Sequence, residues 1–159
     1  MPKRIRLPYP EGTWFAVPLR TNGFAVGVLA RVAGNGPAFG YFFGPKRSHV
    51  PELKEVQDLT AKDTILQGMF GDLGLLNGSW PVLGRSETWR RDDWPLPPLV
   101  RVDPDGSTAF MSFYSDDLIL DREETCDPSC ATHFPEDGLW GYGAVEKRLT
   151  RLVGEPAGP

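Results

Sequence analysis

Thr13-Trp14-Phe15-Ala16-Val17-Pro18-Leu19-Arg20-Thr21-Asn22-Gly23-Phe24-Ala25-Val26-Gly27-Val28-Leu29-Ala30-Arg31-Val32 decides the fold. Two runs rich in β-branched and aromatic residues flank Arg20-Thr21-Asn22-Gly23. Asn-Gly is the pair that a two-residue type I′ turn prefers, because both central positions need φ > 0. The stretch therefore predicts a β-hairpin. Both strands are apolar at nearly every position, so neither face can be left in water, and the sheet must curl onto itself or be covered. This predicts a mainly β protein, a small curled antiparallel barrel or meander sheet with one or two short helices. The hairpin contains no Ser, Cys, His, Asp or Glu, so chemistry must come from elsewhere.

The chain around it has 159 residues, enough for one domain with a core that needs no disulfide staples. Hydrophobic residues make up 40% and charged residues 24%, which fits a folded protein, and 18 Gly and 16 Pro placed singly between short apolar runs fit many turns. The expected organisation is a single domain over 1–159, comprising an extended arm (1–11), a β core (12–114), an acidic loop region (115–141) and a C-terminal helix (142–153). Seventeen basic against twenty-one acidic residues give a formal charge of −4. That is unlike the basic footprint of a nucleic-acid binder and suits a basic partner better. The basic Met1–Pro8 segment is followed by no apolar run, and no stretch reaches the length needed to cross a bilayer, so a cytoplasmic location is expected. Two cysteines, Cys126 and Cys130, do not make a secreted disulfide framework.

Downstream of the hairpin, residues 38–43 read as a third strand pairing with 24–32 in a meander. Leu53, Val56 and Leu59 fall at helical intervals behind Pro51, predicting a short helix over 51–59. A fourth strand is expected over 63–71, a turn or single helical turn over 72–78, and a fifth strand over 79–84. Pro81 lacks a ladder donor, so that fifth strand lies at an edge or begins late. Leu99-Val100-Arg101-Val102 and 108–114 flank Asp103-Pro104-Asp105-Gly106, a second hairpin. Val145, Leu149 and Leu152 at i, i+4 and i+7 place a helix over 142–153, stopped by Gly154 and Pro156.

Three constellations could carry chemistry. Cys126, Cys130 and His133 lie close along the chain and are zinc-type ligands, but a structural site needs a fourth ligand and no second cluster exists. Free or locally bridged thiols in a Pro-containing loop explain them. Nucleophilic catalysis has no Gly-x-Ser-x-Gly elbow, and only His49 and His133 could act as base. Gly68, Gly71 and Gly74 lack the Gly-Lys-Ser/Thr of a phosphate loop. No metal, cofactor or catalytic residue is therefore expected. Charge is most uneven between Asp116 and Asp137, where Asp116, Asp117, Asp121, Glu123, Glu124, Asp127, Glu136 and Asp137 face one fixed cation, Arg122. Such a stretch either keeps a loop solvated or steers a basic partner. Of the tryptophans, one exposed beside it would serve as an interface anchor.

The order of landmarks adds a resemblance. Residues 12–19, 23–29 and Tyr41-Phe42-Phe43, then 65–84 ending in Gly78-Ser79-Trp80-Pro81-Val82-Leu83-Gly84, then Pro97-Pro98 and Asp103-Pro104-Asp105-Gly106, resemble the immunity protein 26 family of bacterial polymorphic toxin systems. The resemblance covers roughly residues 8–125 and rests on structural rather than catalytic positions. It implies a β-rich, barrel-like protein that binds a cognate toxin and blocks it, with a basic toxin such as a nuclease suiting the acidic stretch. The expected partner-binding residues are Asp116, Asp117, Asp121, Glu123 and Glu124. Some members of the family carry a phosphotriesterase label, so a metal-dependent phosphotriesterase-like hydrolase is the alternative. Metal-assisted hydrolysis needs His and carboxylate ligands around an activated water, and only two histidines are present. A generic β-barrel interaction module is the third reading.

Overall fold

A computed structural model of the chain describes residues 8–34 and 36–153. The hairpin of the opening stretch is present as β1 (Thr13–Pro18) and β2 (Phe24–Val32), and β3 (Ala38–Arg47) continues the meander. β4 (Leu66–Phe70), β5 (Val82–Arg85) and the short β9 (Leu139–Trp140) complete a six-stranded sheet in the order β5-β1-β2-β3-β4-β9. As Pro81 predicts, β5 begins after the proline and lies at the sheet edge. A second sheet, in the order β6-β7-β8, contains the expected hairpin of β6 (Leu99–Val102) and β7 (Ala109–Tyr114), followed by β8 (Leu120–Cys126). The sheets do not close into a barrel: the two end strands of the larger one, β5 and β9, do not pair among the described residues.

The apolar character of both hairpin faces is explained by two cores, one on each side of the large sheet. Along β3, Phe42 points into one with Phe15, Phe70, Trp80, Trp140, Val145 and Leu149. Phe39, Tyr41 and Phe43 point into the other with Trp14, Val56, Trp94 and Leu99. Strand periodicity of two sends alternate residues to opposite faces, and a sheet covered on both sides has no polar face to alternate with. In the first core Phe15 stacks on Trp80 at 5.5 Å, and each fully buried large apolar side chain contributes about 1.5–3 kcal/mol. Gly27 makes room for this packing, since a Cβ there would lie 2.7 Å from the Phe15 ring.

The lid over the first core is α3 (Tyr142–Val153), at the predicted bounds. Val145 and Leu149 are buried, whereas Leu152 is exposed, so the third position of the expected stripe is not part of the core. Gly154 and Pro156, the expected stop signals, lie outside the described residues, as do Arg4, Arg6 and most of the expected N-terminal arm. This helix also changes the first hairpin's turn. Asn22 does not have the positive φ of a type I′ turn; Gly23 alone does (φ +76°), and the loop closes by Leu19 N–H donating to the Gly23 carbonyl at 2.9 Å. The wider loop lets the Arg20 amide donate to Thr150 Oγ1 (2.9 Å) and the Arg20 guanidinium pair with Glu146 (3.2 Å) on α3.

The helix expected over 51–59 is confined to α1 (Leu53–Val56), started by a capping box between Glu52 and Glu55. It stops because Thr60 opens a separate turn, its amide donating to Asp63 Oδ2 at 2.8 Å. The expected helical turn after β4 is α2 (Leu73–Leu76).

Candidate functional site

The first part of the acidic stretch, 115–126, is a hairpin turn and strand rather than a loop, whereas 127–138 is irregular around one 3-10 turn. Residues 115–119 form the turn of a hairpin between β7 and β8, and most of the acids lie on this hairpin. The turn closes by Ser115 N–H donating to the Ile119 carbonyl (2.9 Å), and Leu118 N–H to the Ser115 carbonyl (2.8 Å). Leu118 sits at φ +62°, in the left-handed region that costs a non-glycine residue about 1–2 kcal/mol. Its partly buried side chain packs on the second core, which holds the turn in that shape.

The structure corrects the charge count in this region. Asp116 receives a hydrogen bond from Arg31 Nε at 2.7 Å and pairs with Arg91 at 3.2 Å; Arg31 is only 4% exposed, so its charge is matched by this carboxylate. The Arg31 bond, opposed by partial burial and reinforced by the Arg31 and Arg91 charges, holds the Asp116 carboxyl below its ordinary value. Arg91 also pairs with Glu11. Glu123 pairs with Arg101 at 3.1 Å and accepts from Ser112 Oγ at 3.2 Å, while Arg101 lies over the Phe110 ring. Glu124 pairs loosely with Arg122 at 3.5 Å, and Arg122 covers Phe113. Glu136 pairs with Arg148 at 2.8 Å, Asp137 accepts from the Tyr114 hydroxyl at 2.7 Å, and Asp127 caps a short 3-10 turn through Ser129 N–H. The desolvated phenol and its bond to Asp137 push the Tyr114 pKa up. Among the described residues, Asp117 and Asp121 form no salt bridge, and both are exposed. Arg31, Arg91, Arg101 and Arg148 thus share the work that the sequence assigns to Arg122 alone.

Register divides the strand's acids. Glu123 lies on one face of β8, opposite Ser112; Arg122 and Glu124 lie on the other, opposite Phe113 and Met111; and Asp121 sits at the bulge between the Phe113 and Tyr114 pairs. Leu120 to Thr125 are exposed throughout.

Cys126 and Cys130 are free thiols, both half-buried. Partial burial first, then the neighbouring Cys130 thiol and the Asp127 carboxylate, raise the Cys126 pKa to about 11. A thiol in that state is a poor nucleophile at neutral pH. His133 is exposed at the end of the 3-10 turn, and among the described residues no three His, Cys, Asp or Glu side chains gather as metal ligands would.

A cavity of about 660 Å³ lies between Trp14, Asp58, Leu59, Trp89, Asp93 and Trp94. Trp89 is the half-buried tryptophan, stacked on Trp94 at 5.3 Å. The segment that carries both rings also carries Arg91, the partner of Asp116. The remaining tryptophans are buried in the cores.

A family model described as Immunity protein 26 matches residues 10–111, the span from the first hairpin's approach to the middle of β7. The chain belongs to the immunity protein 26 family. The match covers five of the six strands of the large sheet, β6 and the first half of β7, while the turn at 115–119, β8, β9 and α3 follow it. Compared with curated proteins and with solved structures, the chain has no significant match to either. As an immunity-family protein it has a toxin as the expected class of binding partner. No helix among the described residues is long and apolar enough to cross a membrane.

Proposed function

We propose that this chain is a cytoplasmic immunity protein that neutralises a cognate toxin of a polymorphic toxin system by covering its surface stoichiometrically, without turnover. The observation that carries this reading, beside family membership, is the acidic β7–β8 hairpin, anchored to the large sheet through Arg31 and Asp116. A rigid display of negative charge suits a basic toxin such as a nuclease, because complementary fields accelerate encounter. Asp117, Asp121 and Glu124 supply the outward charge. Asp116 and Glu123 contribute from positions already engaged with Arg31, Arg91 and Arg101. Half-buried Trp89, on the segment that holds Asp116, is placed to act as an apolar anchor at the margin of the contact.

Coexpression with the product of the adjacent gene tests this reading. Growth restored by the chain, together with recovery of a stable complex of fixed stoichiometry, supports it. Continued toxicity with both proteins present, or rescue without a complex, contradicts it.

A further inference from the structure

The two outer edges of the small sheet are treated differently. The edge of β6 is closed by the segment before β9: Val100 N–H donates to the Pro135 carbonyl at 2.8 Å and Asp137 N–H donates to the Val100 carbonyl at 2.9 Å. The edge of β8 has no backbone partner among the described residues, since β8 pairs with β7 alone. An open strand edge presents a row of unpaired amides and carbonyls.

The placement of charge restricts how a partner can use that row. Glu123 projects from one face of β8 and Glu124 from the other, so a body resting on either face reaches only part of the set. A strand laid along the edge has side chains that alternate between the same two faces and reaches all of them. We infer that β8 is a strand-addition site, which takes an extended segment of the toxin with basic residues on both faces. This rests on the proposed immunity function. Charge selects the occupant: β8 holds Asp121, Glu123 and Glu124 against Arg122, a balance that attracts a basic strand and repels the same strand of a second copy. Backbone pairing supplies affinity in this mode and the alternating side chains supply selectivity.

Residue-resolved amide hydrogen exchange, on the free chain and on its complex with the inactivated toxin from the adjacent gene, tests the inference. In the free chain alternate amides of β8 should exchange rapidly while those directed at β7 are protected. In the complex the rapid set should slow at least tenfold, with the β6 amides unchanged. A complex that leaves the rapid β8 amides unchanged overturns strand addition while the immunity reading stands. Failure to form any complex removes both. Protection of the rapid set in the free chain that rises with protein concentration overturns it as well, because a second copy then occupies the edge.

Discussion

Arg31, buried in β2, donates through Nε to Asp116 at 2.7 Å, and this bond ties the turn of the small sheet to the central strand pair of the large one. The guanidinium also donates to the Ala30 and Trp94 carbonyls, so its only carboxylate within bonding distance among the described residues is Asp116. Asp116→Asn leaves a buried charge without its counterion. Because Asp116 itself is half in solvent, the loss should be about 1–2 kcal/mol, below the roughly 3–5 kcal/mol of a fully buried pair. Urea unfolding of the two proteins measures it, and an unchanged midpoint removes the pair from the account.

The same bond sets a pH dependence. Asp116 is held below its ordinary value of 3.8, so its contribution is complete above that pH and declines as pH falls through the lower folded-state value. The stability gap between wild type and Asp116→Asn should therefore be constant near neutrality and narrow below about pH 4. A gap that persists undiminished under strong acid contradicts this.

Trp80 Nε1 donates to Glu146 Oε2 at 2.9 Å inside the first core, where Glu146 also meets Arg20. Glu146→Leu strands the indole N–H and should cost about 1–3 kcal/mol, whereas Glu146→Gln keeps an acceptor and should cost about half as much or less. Thermal unfolding ranks the variants, and equal losses would show that the hydrogen bond to Trp80 is not what Glu146 contributes.

Gly68 and Gly141 both adjoin Trp140 but differ in the space a side chain would find. A Cβ at Gly68 would fall 2.3 Å from the buried Trp140 ring, whereas one at Gly141 meets nothing within 4 Å. Gly68→Ala should lose about 2–3 kcal/mol through overpacking, and Gly141→Ala should stay within about 0.5 kcal/mol of wild type. Chemical denaturation of both compares them; equal stabilities would mean that Trp140 yields freely.

The Cys126 thiol, raised to about 11, should be alkylated slowly at neutral pH by iodoacetamide, with a rate that climbs until about pH 11. Mass spectrometry follows the modification site by site. A rate already level near pH 8 would mean that its surroundings do not suppress the thiolate.

How far these features could be read from the residues depends on where their causes lie. Tyr142–Val153 is legible because its determinants, Val145 and Leu149 one helical turn apart, are local. The first hairpin is legible too, but its turn geometry is set by Thr150 and Glu146, more than a hundred residues away in sequence. β8 escapes notice for a different reason: Leu120 to Thr125 are exposed on both faces, so no alternation of apolar and polar residues marks them as a strand. The acidic character of 116–137 is plain in the sequence, whereas its partial neutralisation depends on Arg31, 85 positions from Asp116, and on Arg91 and Arg101 from two other segments.

In the proposed function, outward acidic charge on the β7–β8 hairpin brings the toxin to this chain. Asp116 and Glu123 are needed for the hairpin's own bonds, so the informative variant combines Asp117→Asn, Asp121→Asn and Glu124→Gln. The association rate of the purified toxin with wild type and with this variant, measured across a range of salt concentrations, tests the claim most directly. Association of the variant should be slowed about tenfold or more at low salt, with a flatter salt dependence and unchanged folding stability. Identical rates and identical salt slopes for the two proteins would contradict it.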